Sequence, residues 1–380
     1  MKRISITPRP DWEQKIRDQG FLFYKNESYY TESAAYEFTA AEVDLIENST
    51  AEIFDMCLEV VDYVVKNQLW DQFFIPKQYA ELIEWSWKED QPSFYGRFDL
   101  AFDGNKQIKL LEFNADTPTS LLEASVIQWY WLQEYNKEYD QFNSIHEKLL
   151  AHIQTCAPYL LSDKLYFSCI KENVEDFMTV KYMQDVASQT GLKTDFIYTD
   201  DISLNAADQF CSKDGELLKN IFKLYPYEWM FHETFGNYLT STKEQCLWIE
   251  PAYKALLSNK MLLKYLFDLF PNSPYILPCT FLKPGETGRL PNNYVKKPVY
   301  SREGANVSIM VGGKLLEETG GDYGEEGFIY QEYAELPNFD GNHAVIGSWL
   351  IGGVPAGMGI RESSGLITNN TSRFCPHYFK

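Results

Sequence analysis

The stretch of residues 94–114 carries Arg97, Asp99, Glu112 and Asn114 around an Asp103-Gly104-Asn105 turn. Its alternation reads as a β-hairpin. A two-residue loop pairs residues whose numbers sum to an odd value. That sets Arg97 and Asp99 on one face with Glu112 and Asn114, because side chains alternate with period two. A three-residue loop breaks the alignment. Two carboxylates, a carboxamide oxygen and a guanidinium on one face suit a hard cation that bridges phosphates, magnesium first. The same row also reads as a solvent-facing polar face with an Arg–Glu cross-strand pair, and the pattern alone does not choose.

A second group lies far along the chain. Ser258-Asn259-Lys260 opens a helical apolar run through Met261, Leu262, Tyr265 and Leu266, and Tyr294–Pro298 reads as a strand bearing Lys297. Ser301-Arg302-Glu303-Gly304-Ala305-Asn306 follows as a loop, then a strand at residues 307–311. A lysine on a strand before a mobile glycine-containing loop can hold nucleotide phosphates, through its point charge and through backbone N–H groups. The strand at residues 328–332 ends in Gln331 and Glu332, which suit an adenine edge or a ribose. Neither a Walker loop nor a G-x-G-x-x-G fingerprint is present, and each piece alone is also an ordinary structural feature.

The elements that must position these residues follow from periodicity. Val43, Ile46, Ile53, Met56, Val60 and Val64 recur at helical spacing, so helices are expected within residues 40–79. A helix is expected from Ser120 to about Tyr135 and another around residues 146–156. Apolar runs at residues 165–170 and 194–198 flank a helical stretch, 174–191, in a β-α-β pattern that points to a parallel sheet. The chain from about Tyr294 reads as strand-rich, with turns at Gly312-Gly313, Gly320-Gly321 and Gly352-Gly353.

Composition narrows the classes. With 380 residues, 45 % of them hydrophobic, the chain can bury a large core in one or two domains. A net charge of −20 opposes binding to a phosphate backbone, so nucleic acid is excluded as the expected partner. The excess acid reads as a solvated surface or as a field that attracts polyamines. No apolar stretch follows the charged start, and none is long enough to span a bilayer, so neither export nor a membrane is expected. Seven scattered cysteines without a C-x-x-C pair argue against zinc and disulfides and for a reducing cytoplasm. None has a histidine placed to favour a thiolate.

Taken together the motifs resemble the synthetase region of the glutathionylspermidine synthase family, over nearly the whole chain. The resemblance rests on Tyr-Gly-Arg97-Phe98-Asp99, Leu-Glu112-Phe-Asn114-Ala-Asp-Thr117, Ser-Asn-Lys260, Val-Lys-Lys297-Pro, Ser-Arg-Glu303-Gly304, Gln331-Glu332 and Gly-Ile-Arg361-Glu with Leu366-Ile367-Thr368. It implies an α/β (α+β) chain with an ATP-grasp-like synthetase fold and a pre-ATP-grasp-like region. Residues 1–250 would hold a helical scaffold, the metal hairpin and the substrate region, and residues 251–380 the nucleotide region, as one integrated unit. It also implies that Asp99, Glu112 and Asn114 hold Mg²⁺, and that Lys260 and Lys297 hold ATP. Arg97 and Arg361 would stabilise charge during transfer. Phe98, the covering loop at Glu303-Gly304, a hinge of Gln331, Glu332, Tyr333 and Ala334, and a strand of Leu366, Ile367 and Thr368 would touch nucleotide. Thr117, Glu175 and Asp176 would meet the peptide substrate.

The implied reaction is ATP-dependent joining of a small carboxylate to an amine through an acyl phosphate, with glutathione and a polyamine as first candidates. The family's bifunctional members carry an amidase domain with a cysteine nucleophile, so hydrolysis of the product is not expected of this chain. The competing readings are a non-catalytic nucleotide- or polyamine-binding protein and a phosphotransferase that stops at a phosphorylated product. Glycines at 357, 359 and 365 further suggest that Arg361 swings in when substrates bind.

Overall fold

The computed structural model describes residues 1–104, 107–284, 286, 290, 292–370 and 372–380, and only the backbone within residues 26–28. The chain begins with β1 (Lys2–Ser5), α1 (Trp12–Asp18) and β2 (Ala34–Phe38), followed by α2 (Ala40–Asn67) and α3 (Lys77–Lys88). Helix α2 starts at a reciprocal cap. The Thr39 hydroxyl accepts from Glu42 N while the Glu42 carboxylate accepts from Thr39 N, which satisfies two donors at the helix start. Its stripe of Val43, Ile46, Ile53, Val60 and Val64 is buried.

Then come the hairpin β3 (Tyr95–Phe102) and β4 (Ile108–Asn114), a π-helical turn (Glu123–Ile127), α4 (Gln128–Tyr135) and α5 (Ile145–Cys156). The middle of the chain supplies β5 (Lys164–Cys169), α6 (Val174–Gln189), β6 (Lys193–Tyr198), β7 (Asn220–Leu224), α7 (Tyr227–Met230) and β8 (Leu247–Ile249). The last third holds α8 (Lys254–Leu257), α9 (Met261–Leu269), β9 (Tyr294–Pro298), β10 (Ser308–Val311), β11 (Lys314–Glu318), β12 (Phe328–Glu332), β13 (Asn342–Ile351), β14 (Val354–Ser363), β15 (Arg373–Cys375) and β16 (His377–Phe379).

Three sheets position the site. Strands β8-β7-β5-β6 form the parallel sheet that the β-α-β pattern requires. Every residue of β7 is buried, as expected of a strand covered on both faces. The chain leaves β5 for β6 on one side and places β7 and β8 on the other, so the strand order reverses between β5 and β7. An antiparallel sheet runs β12-β9-β10-β11, with the short strand Cys279–Thr280 paired to the outer side of β12. The third sheet, β15-β14-β13-β3-β4, joins the hairpin to the carboxy-terminal strands. Gly312-Gly313 and Gly352-Gly353 form the tight turns joining β10 to β11 and β13 to β14. Gly320-Gly321 instead lies in irregular chain after β11, where a Cβ on Gly321 would come 2.6 Å from Asn306 Oδ1. Among the described residues, no helix is long and apolar enough to cross a membrane.

Candidate active site

The hairpin face exists, but the turn does not create it. The loop is residues 103–107 rather than two residues, and Asn105 lies outside the described residues. Asp103 closes it, with its N–H donating to Gln107 O and its carboxylate accepting from Gln107 N. A five-residue loop gives even-sum pairing, with Phe102 opposite Ile108 and Leu100 opposite Leu110. Continued, that register would put Asp99 opposite Leu111 and turn Glu112 towards the core. A β-bulge between Asp99 and Leu100 adds Leu111 and changes the pairing, so that Asp99 faces Glu112 and Arg97 faces Asn114.

On this face the charges are closely matched. Arg97 Nε donates to Asp99 Oδ1 at 2.8 Å and Arg361 Nη2 donates to Asp99 Oδ2 at 2.6 Å. Burial pushes the Asp99 carboxyl up, yet the two guanidinium groups outweigh it and hold the carboxyl below its ordinary range. Arg97 also donates to Thr119 O at 2.6 Å. Its stem crosses Gly347, the residue opposite Asp99, where a Cβ would lie 2.9 Å from Arg97 Cδ. Only a glycine leaves that room. Arg361 lies within β14, paired to Val345 and Phe374 inside the sheet. The neighbouring glycines therefore serve close packing rather than a hinge. A Cβ on Gly359 would meet Phe374 Cε2 at 2.6 Å, and one on Gly357 would meet Phe142 O at 2.9 Å. Glu362 points to the other face, bound by Arg3, Tyr36 and Arg373, so it does not pair with Arg361.

The lysines close the second side. Lys260, at the start of α9, donates to Ser301 O and pairs with Glu112 Oε1, each at 2.9 Å. Lys297 donates to Leu111 O and Gln331 Oε1, each at 2.8 Å. The extra residue of the bulge thus offers its carbonyl to a lysine. Burial, opposed by Glu112 and assisted by Lys260, brings the Lys297 ammonium down to about 8. Gly304 has φ +68°, and a Cβ there would sit 2.6 Å from Thr368 O, so the loop packs directly on residues 366–368.

Arg97, Asp99, Glu112, Asn114, Lys260, Lys297, Glu303, Gly304, Gln331, Glu332, Tyr333, Ala334, Arg361, Leu366, Ile367 and Thr368 line one cleft of about 910 Å³, counting space open to solvent. One wall is apolar, with Val307, Ile309 and Ile367 buried against Val295, Tyr333 and Leu366. Phe98 is the exception. It is fully buried on the opposite strand face, its ring 4.2 Å from that of Phe113, because period-two alternation sends it to the core when its neighbours face the cleft. Leu366, Ile367 and Thr368 are irregular chain rather than a strand. The Glu317 carboxylate takes the N–H groups of Leu366 and Ile367 at 2.8 and 3.3 Å, which occupies donors that a sheet ladder would need.

Thr117, Glu175 and Asp176 line a second cleft, together with Arg97, Asn114, Trp229, Arg302, Glu303 and Arg361. It includes Ile170 and Leu224, at the carboxyl ends of β5 and β7, which is the crevice where open α/β sheets bind ligands. Burial and the Glu175 charge raise the Asp176 carboxyl to about 7, and burial also raises Glu175. Arg302 donates to Glu228 Oε1 at 2.8 Å and to Thr117 Oγ1 at 2.5 Å and lies over Trp229. Sequence reasoning quoted Arg302 in its loop without giving it a place, and nothing local linked it to Glu228, 74 residues away. It also missed that Cys156 Sγ lies 3.4 Å from His152 Nε2 one helical turn earlier. Burial nonetheless pushes that thiol up to about 12, so it is no thiolate.

The chain is mixed α/β, built from several sheets with helices packed around them, and comparison with known proteins gives its family. The glutathionylspermidine synthase preATP-grasp family matches residues 3–380, and the chain belongs to that family, whose relatives include ligases that form carbon–nitrogen bonds. A Haemophilus influenzae protein named "Putative acid--amine ligase" is 40 % identical over 395 aligned positions, covering the whole of both chains. The trypanothione synthetase of Crithidia fasciculata is 28 % identical over 80 % of this chain and 50 % of its own length. The bifunctional glutathionylspermidine synthetase/amidase of Escherichia coli is 25 % identical over 89 % of this chain and 58 % of its own. The chain thus spans little more than half the length of these last two relatives.

Proposed function

We propose that the protein uses ATP to activate a small carboxylic acid and joins it to an amine. The observation that carries this reading is that Arg97, Asn114, Glu303 and Arg361 line both clefts. A phosphoryl group at the end of one cleft and a carboxylate at the end of the other would meet between the two guanidinium groups. Arg97 and Arg361 then balance charge as the γ-phosphoryl passes to the carboxylate, in a site that spends no energy on reorganisation. The amine attacks the resulting acyl phosphate, loses its proton and expels phosphate, leaving an amide. Lys260 and Lys297 hold the nucleotide's phosphates, and the apolar wall of Val307, Ile309 and Ile367 receives its base.

Asp99, Glu112 and Asn114 fit a magnesium ion that arrives with ATP. They offer hard oxygen donors, and the Asn114 amide nitrogen has no acceptor among the described residues, so no hydrogen bond through that nitrogen fixes the carboxamide. The described residues hold no group of three or more His, Cys, Asp or Glu able to cage a metal. Phosphate oxygens would complete the shell, as is usual for Mg²⁺, and the ion would offset phosphate charge. The acidic pair Glu175 and Asp176 suits a cationic group on a substrate, and the relatives' names make a glutathione-type peptide and a polyamine the first pair to try.

The test is ADP and phosphate release from ATP and Mg²⁺ against pools of small peptides and amines. Phosphate release that requires both an acid and an amine is expected. A phosphorylated acid that accumulates equally with or without amine would replace ligation by simple phosphoryl transfer.

A further inference from the structure

Three helical stretches each turn one face towards a common hollow. Leu122, Ser125, Val126 and Trp129 recur at helical spacing from the π-helical turn into α4, and Tyr182, Asp185 and Gln189 do the same along α6. His146 and Glu147, in the first turn of α5, complete the wall. The result is an open cavity of about 460 Å³, the size of a ligand site.

Its floor and its rim differ in character. Leu122, Ser125 and Tyr182 are buried, whereas Trp129 is 39 % and Tyr130 50 % exposed. Neither of these two rings meets another ring or a cation among the described residues. Glu147 and Asp185 bring two negative charges. The wall holds no lysine or arginine, and neither carboxylate is in an ion pair among the described residues. Burial raises the Tyr182 phenol and both of these charges add to the rise, so the two carboxylates act on one hydroxyl.

The other polar groups lean the same way. Ser125 Oγ donates to Leu121 O at 2.7 Å, and Asn143 Nδ2 donates to Ser125 O at 3.1 Å, which leaves the Asn143 carboxamide oxygen as an acceptor. Gln189 Nε2 is spent on Asp185 Oδ2 at 2.9 Å, and His146 Nδ1 shares a bond of 3.0 Å with the Tyr182 hydroxyl. The buried Gln19 Oε1 has no donor among the described residues. A wall rich in acceptors and negative charge suits an ammonium, which brings three donors and no acceptor and is attracted to aromatic faces. Water alone would satisfy the two carboxylates. It gives nothing to the open rings of Trp129 and Tyr130 or to the apolar Leu122 and Val126 beside them.

We propose that this cavity binds a small alkylammonium ion, with its hydrocarbon chain against Leu122 and Val126 and its charge beside Glu147, Asp185 and the Trp129 ring. The site shares no lining residue with either cleft, so it stands or falls independently of the proposed ligase activity.

The experiment uses the full chain labelled with 5-fluorotryptophan, in about 0.15 M salt to screen diffuse attraction to the acidic surface. The probes are 1,4-diaminobutane and 1,4-butanediol, matched in shape, one cationic and one neutral. The Trp129 fluorine resonance is identified by its loss in Trp129→Phe, while Trp229, which lines the substrate cleft, reports separately on any amine bound there. The diamine should shift the Trp129 resonance saturably, and the diol should leave it in place. Glu147→Gln with Asp185→Asn, both at exposed positions, should weaken this binding roughly tenfold without changing the response of Trp229. The proposal is overturned if the diamine leaves the Trp129 resonance unmoved or shifts it without saturation, or if the diol or the double variant gives the same response. A saturable response at Trp129 with Trp229 silent upholds this site and counts only against an amine in the substrate cleft.

Discussion

Asp99 answers to two guanidinium groups at once, and this changes what its removal does. In the structure Arg97 is 4 % exposed with Asp99 as its ion-pair partner, and a buried charge that loses its partner is costly. Asp99→Asn is therefore expected to lower stability by about 1–3 kcal/mol as well as abolish turnover, and a thermal melt beside the ADP assay checks both. Arg361 is less enclosed, and its variants separate chemistry from folding. Arg361→Ala should reduce kcat by roughly 10²–10³ while ATP affinity stays within a few-fold, and Arg361→Lys should recover little of it, because a point charge cannot copy a planar fork. Single-turnover ADP formation at a near-normal rate would remove Arg361 from the reaction. Asp176 gives a pH signature. It stays protonated in the folded chain up to about 7, whereas an unfolded aspartate ionises near ~3.9. Folding therefore takes up a proton between these values, and the stability due to this group declines as pH rises through that window and is level above it. Affinity for a cationic substrate should follow the opposite course, strengthening as pH rises through about 7. Calorimetric titration between pH 6 and pH 8 shows this, and Asp176→Asn should flatten the profile.

At the scale of elements, the sequence told which residues share a face but not why. Alternation at Arg97, Asp99, Glu112 and Asn114 is visible to the eye; a bulge is not, because Leu111 resembles any apolar strand residue. Phe98 was assigned to the nucleotide because motif neighbours travel together in sequence, although a strand sends adjacent side chains apart. Residues 366–368 carry the apolar look of a strand, and their fate is decided by Glu317 on another element. The loop at residues 301–306 shows the same dependence. Gly304 combines a positive φ with a Cβ position only 2.6 Å from Thr368 O, so Gly304→Ala must shift the loop off residues 366–368. A loss of about 1–2 kcal/mol in stability is expected from the left-handed backbone alone, read by a thermal melt, and weaker ATP binding is expected from the displaced loop, read by titration with a non-hydrolysable analogue. Unchanged affinity would show that the loop does not shape the nucleotide cleft.

The whole molecule is tied together by pairings that a sequence does not announce. Strand β3 bonds β13 from Tyr95 opposite Ile351 to Leu100 opposite Ile346, across some 250 residues. Neither stretch signals its partner, whereas the parallel sheet was legible because β5, α6 and β6 follow one another directly. Residues 251–380 expressed alone would leave the β3-facing edge of β13 unpaired and Arg361 without Asp99. Such a fragment is expected to aggregate or to lack a cooperative melt, and a sharp transition with native-like nucleotide binding would show instead that the nucleotide region is autonomous.

The bulge at Leu111 also separates the tip of the hairpin from its working face. Register at Asp99 and Glu112 is reset beyond the point where the loop's length is felt, and the tip stands four residues, about 13 Å, from Asp99. A change in the length of the segment between Phe102 and Ile108 is thus expected to leave Asp99 opposite Glu112, and a peptide tag or fluorophore grafted there is expected to report on the enzyme without entering its chemistry.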